Sequence, residues 1–246
     1  MRINSENNVH GDTGFLGASI QEYIGEFVYG GIDGSITTFA VVAGAVGAGL
    51  DSSIIIILGF ANLFADGFAM SIGAYLATKS EVDNYTKHKK IEYWEIEHFP
   101  ETEKQEVREI YASKGFSGEL LDQVVDTITA DKDVWVDVMM QEELGMIEEK
   151  KSPFMVGVVT LISFVLLGFI PLFVYVFDFL FDFTIDLMFW STAMTLFSFG
   201  LVGFFKGLVN RKNKLNSTIS TMFMGISAAL VAYYIGFLLE ALVLSQ

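Results

Sequence analysis

Five long apolar segments dominate this chain of 246 residues. They lie near residues 26–50, 54–78, 154–177, 187–209 and 218–243. A helix rises 1.5 Å per residue, so about 20 residues cross a hydrocarbon core of roughly 30 Å. Each segment reaches that length, and hydrophobic residues make up 52% of the whole chain. The sequence therefore predicts an all-α integral membrane protein with five transmembrane helices.

The basic residues predict how these helices are oriented. Ten of the fifteen Lys and Arg residues lie in residues 79–151, and four more lie at or after the end of the fourth segment. The connections after the first and third segments contain aspartates but no Lys or Arg. The positive-inside rule then places the N-terminus and residues 79–151 in the cytoplasm. We expect three parts: residues 1–78 with spans one and two, a cytoplasmic insert at 79–151, and residues 152–246 with spans three to five.

The net charge of −15 restricts the possible partners. A strongly acidic protein is a poor ligand for nucleic acid, so we expect cations as partners instead. The chain contains no cysteine, which excludes disulfides and thiolate metal sites.

Paired glutamates stand out in the predicted cytoplasmic insert, which has a helical periodicity. Glu92 and Glu95 are three residues apart and share a helix face, and Glu103 and Glu106 repeat that spacing after the break at Pro100. If the two helices fold back on each other, Glu95 faces Glu103 and Glu92 faces Glu106. Four converging carboxylates repel one another unless a cation neutralises them. The alternative is a solvated acidic face.

The last helix of the insert adds Met139, Met140 and Glu143. Paired methionines are usually core residues, but beside carboxylates their thioether sulfurs would favour a transition metal over Mg²⁺ or Ca²⁺. Glu95 and His98 also form one Glu-x-x-His element of the di-iron type, although a di-iron bundle needs a second copy. His98 is therefore expected to be a helix-end residue rather than a ligand.

Ionisable residues within the spans are costly in lipid and so indicate function. Span one contains Asp33, with Glu26 seven residues earlier on about the same face. Span two carries Asn62, Asp66 and Met70 at i, i+4 and i+8, which forms one stripe. No Lys or Arg is expected inside a span to pair with these acids, which leaves a proton, water or a metal cation as partner. Alternatively, Asp33 caps a glycine-broken helix, Glu26 sits at the interface and Met70 only packs.

Three stretches of the sequence are similar to the vacuolar iron transporter family. Residues 32–44 resemble its first span, residues 61–76 its second, and residues 135–145 the last helix of its cytoplasmic domain. Pro171-Leu172 and residues 228–233 also fit the family pattern.

The resemblance implies a five-helix protomer that works as a homodimer and exports Fe²⁺ and related divalent metals from the cytoplasm in exchange for protons. It implies a pathway that includes Glu26, Asp33 and Met70. It also implies a cytoplasmic metal site formed by Glu92, Glu95, Glu103, Glu106, Met139, Met140 and Glu143. It also marks a departure, because plant-type members carry a glutamate where this chain has Asn62.

From the residues and the resemblance together, we predict a proton-coupled transporter of Fe²⁺, with Mn²⁺ as second cargo. The host is a plasma membrane if the source is prokaryotic and a vacuolar-type membrane if it is eukaryotic. We expect the insert to bind Fe²⁺, Mn²⁺ or Zn²⁺, and we expect no prosthetic group. The alternatives are a passive metal channel, a metal sensor or a membrane di-iron enzyme. An enzyme is the least favoured, because the three histidines all lie outside the predicted spans.

Overall fold

The computed structural model describes residues 22–181, 186–209 and 213–243. In these ranges the chain forms nine α-helices and one π-helical turn, and no strand. The helices are α1 (Ile24–Gly47), α2 (Ser52–His98), α3 (Pro100–Ser113), α4 (Gly118–Thr129), α5 (Lys132–Val138), α6 (Pro153–Gly168), α7 (Ile170–Phe181), α8 (Leu187–Val209) and α9 (Lys214–Val243), and the π turn is Met139–Glu143.

Helices α1, α2, α8 and α9 are each long and apolar enough to cross a membrane. Helices α6 and α7 pass the same test together, with a bend of 51° between them, and count as a fifth crossing if the bent pair is one span. The all-α fold is thereby confirmed, with four to five candidate spans at the positions expected from the sequence.

Pro171 explains the bend between α6 and α7. Its ring has no N–H to donate and clashes with the carbonyl four residues earlier, which belongs to Leu167. That carbonyl instead accepts a hydrogen bond from Ser35 Oγ of α1 at 2.9 Å. The carbonyl of Pro171 accepts another from Ser191 Oγ of α8 at 2.7 Å. The backbone groups near the bend are thus satisfied by hydroxyls of neighbouring helices, as lipid requires.

Glycines of α1 allow close packing within the same chain. A Cβ added at Gly30 would lie 2.7 Å from the carbonyl oxygen of Thr160, and one added at Gly34 would lie 2.9 Å from Cα of Phe164. Near the other end of α1, Gly47 lies against the backbone of α9 at Tyr233. The glycine-rich face of α1 therefore packs on α6 and α9 in the protomer.

The chain divides into two compact units, one formed by Met1–Tyr75 with Lys151–Gln246 and the other by Leu76–Lys150. We call them the membrane unit and the inserted unit. The inserted unit has its own apolar core. The fully or almost fully buried residues of this core are Ile96, Val107, Leu121, Val125, Ile128, Trp135, Val136, Met139 and Met140.

Local signals in the inserted unit produce the expected helix boundaries. Pro100 occupies the first turn of α3, and the Asp131 carboxylate caps α5 by accepting hydrogen bonds from the backbone N–H groups of Asp133 and Val134. The helix that begins after Asp131 does not continue as an α-helix to Gly145. Instead it changes to the π turn, in which Leu144 N–H donates to Met139 O at 3.2 Å, five residues back. Such turns are rare and occur frequently at functional sites.

Candidate metal centre and ionisable residues of the spans

Three glutamates from three different helical elements meet in the inserted unit. Glu92 lies on α2, Glu103 in the first turn of α3 and Glu143 in the π turn, and one carboxylate oxygen of each lies within 4.8 Å of the other two. Each glutamate is one helical turn from a core residue, namely Ile96, Val107 and Met139 respectively. Burying those apolar neighbours brings the carboxylates together.

The first two glutamates are buried, with exposed fractions of 3% for Glu92 and 6% for Glu103, whereas Glu143 is exposed. Within the described part of the chain, the Oε2 atoms of Glu92 and Glu103 have no hydrogen-bond partner. A buried carboxylate oxygen without a partner is energetically costly and rare in folded proteins. This pair of orphaned oxygens indicates a cation site.

The basic residues of the inserted unit pair with other acids. Lys104 contacts Asp126 at 2.7 Å and Lys89 contacts Asp137 at 2.9 Å, and these partners lie on the exposed surface. Further such pairs are Lys79 with Asp83, Arg108 with Asp122, Lys132 with Glu97 and Lys114 with Glu142. These basic residues thus pair with acids other than Glu92 and Glu103.

The environment of the cluster opposes ionisation. Burial, and then repulsion from Glu143 and the other nearby carboxylates, raises the pKa of Glu92 to about 7. Burial, and then repulsion from Glu106, raises the pKa of Glu103 to about 7. Burial followed by Glu106 and Glu95 also raises the pKa of Glu143. The cluster therefore holds protons near neutral pH, and a divalent cation would compete with them.

Glu95 and Glu106 are half-buried and close enough to the other three glutamates to repel them. The structure thus brings together the four glutamates that the sequence pairs around Pro100. Their register differs from the expected one, because the tightest group joins Glu92 to Glu103 rather than to Glu106. The distance of each residue from the turn does not reveal this grouping.

Met139 and Met140 are both fully buried in the apolar core of the inserted unit. Packing in this core is enough to explain their burial, as it is for most paired methionines. Their role as metal ligands stays a prediction. The two methionines precede Glu143 in the π turn, so the same turn orients all three side chains.

His98 is the last residue of α2 and lies on the exposed surface. Its ring stacks on Trp94 with 4.4 Å between centroids, and its Nδ1 lies 2.8 Å from the carbonyl oxygen of Trp94. These contacts agree with the expected helix-end role.

In the membrane unit, Asp33 lines a cavity of about 360 Å³ along one face of α1. The other lining residues are Ile24, Gly25, Val28, Tyr29, Ile32 and Lys206. Asp33 also interacts electrostatically with Asp66 of α2, so the acids of the first two spans are brought near each other. The sequence analysis missed Lys206, which lies in the last turn of α8. The sequence places Lys206 at the end of a span, but it does not show which residues of other helices lie next to it.

The stripe on α2 is only partly buried. Asn62, Asp66 and Met70 each have intermediate exposure, and Met70 packs against the apolar core between α1, α2, α6 and α7. Among the described residues, Asn62 Nδ2 is buried without a hydrogen-bond partner. The contact of Met70 with this core matches the packing alternative for this residue.

Glu26 requires a correction to the sequence analysis. It was expected to lack a basic partner, but its Oε1 accepts a hydrogen bond from Lys151 Nζ at 2.7 Å. Lys151 precedes α6 by two residues, and 125 positions separate the two partners in sequence. The basic residues within a span contain no information about a partner that lies just before the start of another helix.

Comparison with known proteins identifies relatives over most of the chain. The chain is 36% identical to the vacuolar iron transporter of Toxoplasma gondii over 232 residues, which cover 90% of this chain and 76% of the relative. It is 35% identical over 213 residues to vacuolar iron transporter 1 of Arabidopsis thaliana, with 86% and 84% covered. The vacuolar iron transporter of Plasmodium berghei is 33% identical over 230 residues, with 89% and 83% covered.

These relatives are named as transporters and not as enzymes, and the resemblance found in the motifs is confirmed. The family profile described as the VIT family matches residues 24–237, which include the candidate spans and the inserted unit. A match of this length, together with identities above 30% over most of each relative, shows that this multi-pass membrane protein belongs to the VIT family.

Proposed function

We propose that the protein carries Fe²⁺ out of the cytoplasm in exchange for protons, with Mn²⁺ as a second cargo. The observation that carries the proposal is the cluster of the buried Glu92 and Glu103 with the exposed Glu143, one carboxylate oxygen of each lying within 4.8 Å of the other two. The names of the relatives supply the metal, since they are iron transporters.

In this proposal the inserted unit lies in the cytoplasm and collects the cation. Oxygen ligands come from Glu92, Glu95, Glu103, Glu106 and Glu143, and the thioethers of Met139 and Met140 add selectivity for a transition metal. Carboxylates with pKa values near 7 exchange a proton for a metal ion without a large change in pH.

The metal then passes to the acids of the first two spans. Asp33 and Asp66 repel each other, and a divalent cation between them would relieve that repulsion. When the metal leaves on the far side, the same carboxylates take up protons, because an unpaired charge is costly at membrane depth. Glu26, Asn62 and Met70 complete the proposed pathway, and two protomers form the working homodimer.

Uptake of Fe²⁺ into proteoliposomes, under reducing conditions and with or without an imposed pH gradient, tests the function. We expect uptake that depends on the gradient in wild-type protein and is absent in Asp33→Asn. Gradient-independent uptake would indicate a passive channel, and metal binding without uptake would indicate a sensor.

Isothermal titration calorimetry of the full-length protein in detergent tests the collecting site. Replacing Glu92, Glu95, Glu103 and Glu106 by Gln keeps the shape of the side chains and removes their charge. We expect this quadruple variant to lose high-affinity binding of Fe²⁺, Mn²⁺ and Zn²⁺ and to transport more slowly. The matched control replaces the exposed, salt-bridged Asp122, Asp126 and Asp137 by Asn and should bind normally.

A further inference from the structure

The ion pair between Glu26 and Lys151 is held in a partly enclosed place. The side chains are 18% and 31% exposed, respectively. The backbone N–H of Ser152 donates a hydrogen bond to Tyr23 Oη at 3.1 Å, next to the start of α1. Two neighbouring residues, 151 and 152, are therefore fastened to the first turn of α1, and the Lys151 ammonium is positioned rather than freely mobile.

The ion pair provides a partner for only one of the two oxygens of the Glu26 carboxylate. Oε1 of Glu26 receives the Lys151 ammonium, whereas Oε2 is buried and has no hydrogen-bond partner among the residues that the structure describes. An ammonium is a compact point charge with short-range donors, and of the two oxygens of Glu26 its partner is Oε1. A divalent cation can be bound by both oxygens of one carboxylate, so it would use the oxygen that lysine leaves unpaired.

The position of the Glu26–Lys151 pair on α1 gives a function to the replacement of Lys151 by a metal ion. Glu26 lies in the first turn of α1, and the cavity that reaches Asp33 begins at Ile24 and Gly25 of the same turn. Glu26 does not itself line this cavity, but it follows the lining residue Gly25 directly, so a cation that enters at this turn comes close to Glu26.

We propose that Lys151 is a tethered counter-ion that occupies the cation position at Glu26, and that an incoming metal ion displaces it. Lys151 thereby acts as a positioning residue that weakens metal capture at the entrance and keeps Glu26 neutralised when no metal is bound. The inference rests on the proposed transport function and extends it, because it adds a competing cation supplied by the protein itself.

The test measures KM and kcat for Fe²⁺ uptake into proteoliposomes. Lys151→Met keeps the length of the side chain and removes its charge, so we expect the KM to fall about threefold, the effect of removing a partly exposed ion pair. Lys151→Arg keeps the charge and should leave the KM at or above the wild-type value. The matched control is Lys150→Met, which removes the same charge from the exposed neighbouring residue and should behave as wild type.

A second pair of variants separates competition from a structural effect. In Glu26→Gln the KM should rise, and adding Lys151→Met to that variant should change the KM no further, because the group for which lysine competes is gone. An unchanged KM in Lys151→Met, or an equal fall in KM with and without Glu26, would overturn the proposal. Wild-type protein that takes up no Fe²⁺ above empty liposomes would instead reject the transport function itself.

Discussion

At the scale of single residues, Asn62 and Asp66 lie one helical turn apart on α2, and only Asp66 is an acid. The resemblance to the family implies an acid in plant-type members where this chain has Asn62, and the acid one turn along this face of α2 is Asp66, which interacts with Asp33. We therefore expect Asp66→Asn to abolish uptake driven by a pH gradient. Asn62→Glu combined with Asp66→Asn should restore part of it, because positions i and i+4 share a helix face.

Asp51→Asn is the control for this prediction, because Asp51 is exposed in the connection between α1 and α2. Chromatographic profiles of all variants should match that of the wild-type protein. Full gradient-driven uptake by Asp66→Asn alone would show that this carboxylate does not carry the coupling.

The pKa values of Glu92 and Glu103 predict how stability depends on pH without metal. Their pKa rises from an ordinary 4.5 to about 7, so the folded protein binds protons more tightly than the unfolded chain. Their contribution to folding is full below about pH 4.5 and is lost as pH rises to about 7. At pH 8 without metal, Glu92→Gln should raise the free energy of unfolding of the inserted unit by about 1–2 kcal/mol.

Thermal unfolding of wild-type and Glu92→Gln protein at pH 5 and pH 8, with a chelator present, measures this effect. The stabilisation should be small at pH 5, where the wild-type carboxyl is already protonated. Glu119→Gln is a control on an exposed acid of the same unit. A larger stabilisation at pH 5 than at pH 8 would contradict the assigned pKa.

At the scale of helices, α1 and α6 approach closely because Gly34 lacks a side chain. A Cβ at this position would lie 2.9 Å from Cα of Phe164, so the helices must move apart to admit it. We expect Gly34→Ala to destabilise the membrane unit by about 1–3 kcal/mol, the usual cost of overpacking. Gly200→Ala is the matched control, because a Cβ there meets nothing within 4 Å.

The two variants are compared by their melting temperatures in detergent. The readout is the loss of monodisperse protein on heating. Gly34→Ala should melt several degrees below wild type, and Gly200→Ala should melt at or slightly above it, since alanine favours the helix. Equal melting temperatures for the two variants would show that α1 and α6 tolerate a wider spacing.

At the scale of the whole molecule, the homodimer remains a prediction from the resemblance. On α1, Gly34 and Gly47 face α6 and α9 of the same chain, so an interface between protomers on this helix would need other positions. Ile36 and Ala40 lie one turn apart and keep intermediate exposure. We expect single cysteines at positions 36 and 40 to form covalent dimers in membranes, in a chain that has no native cysteine.

A cysteine in place of Val42, whose side chain is fully buried in the protomer, should not cross-link and serves as the control. Gel electrophoresis without reducing agent reads out both results. Protein that remains monomeric in membranes, with no cross-link at positions 36 and 40, would argue against a dimer built on α1.

The sequence by itself determined the features that depend on local order and composition. Apolar length predicted the candidate crossings, and Pro100 predicted the break between the first two helices of the inserted unit. Spacing also identified the acids that share a helix face, because helical periodicity is a property of one segment.

Only the tertiary structure decided which faces meet. It joined Glu143 to Glu92 and Glu103, and it provided Lys151 for Glu26 across 125 positions. Such pairings depend on the rotation and crossing of helices that are distant in sequence, which are set by packing summed over many weak contacts. A spacing rule within one helix contains no information about them, so spacing alone could not identify the partners of these carboxylates.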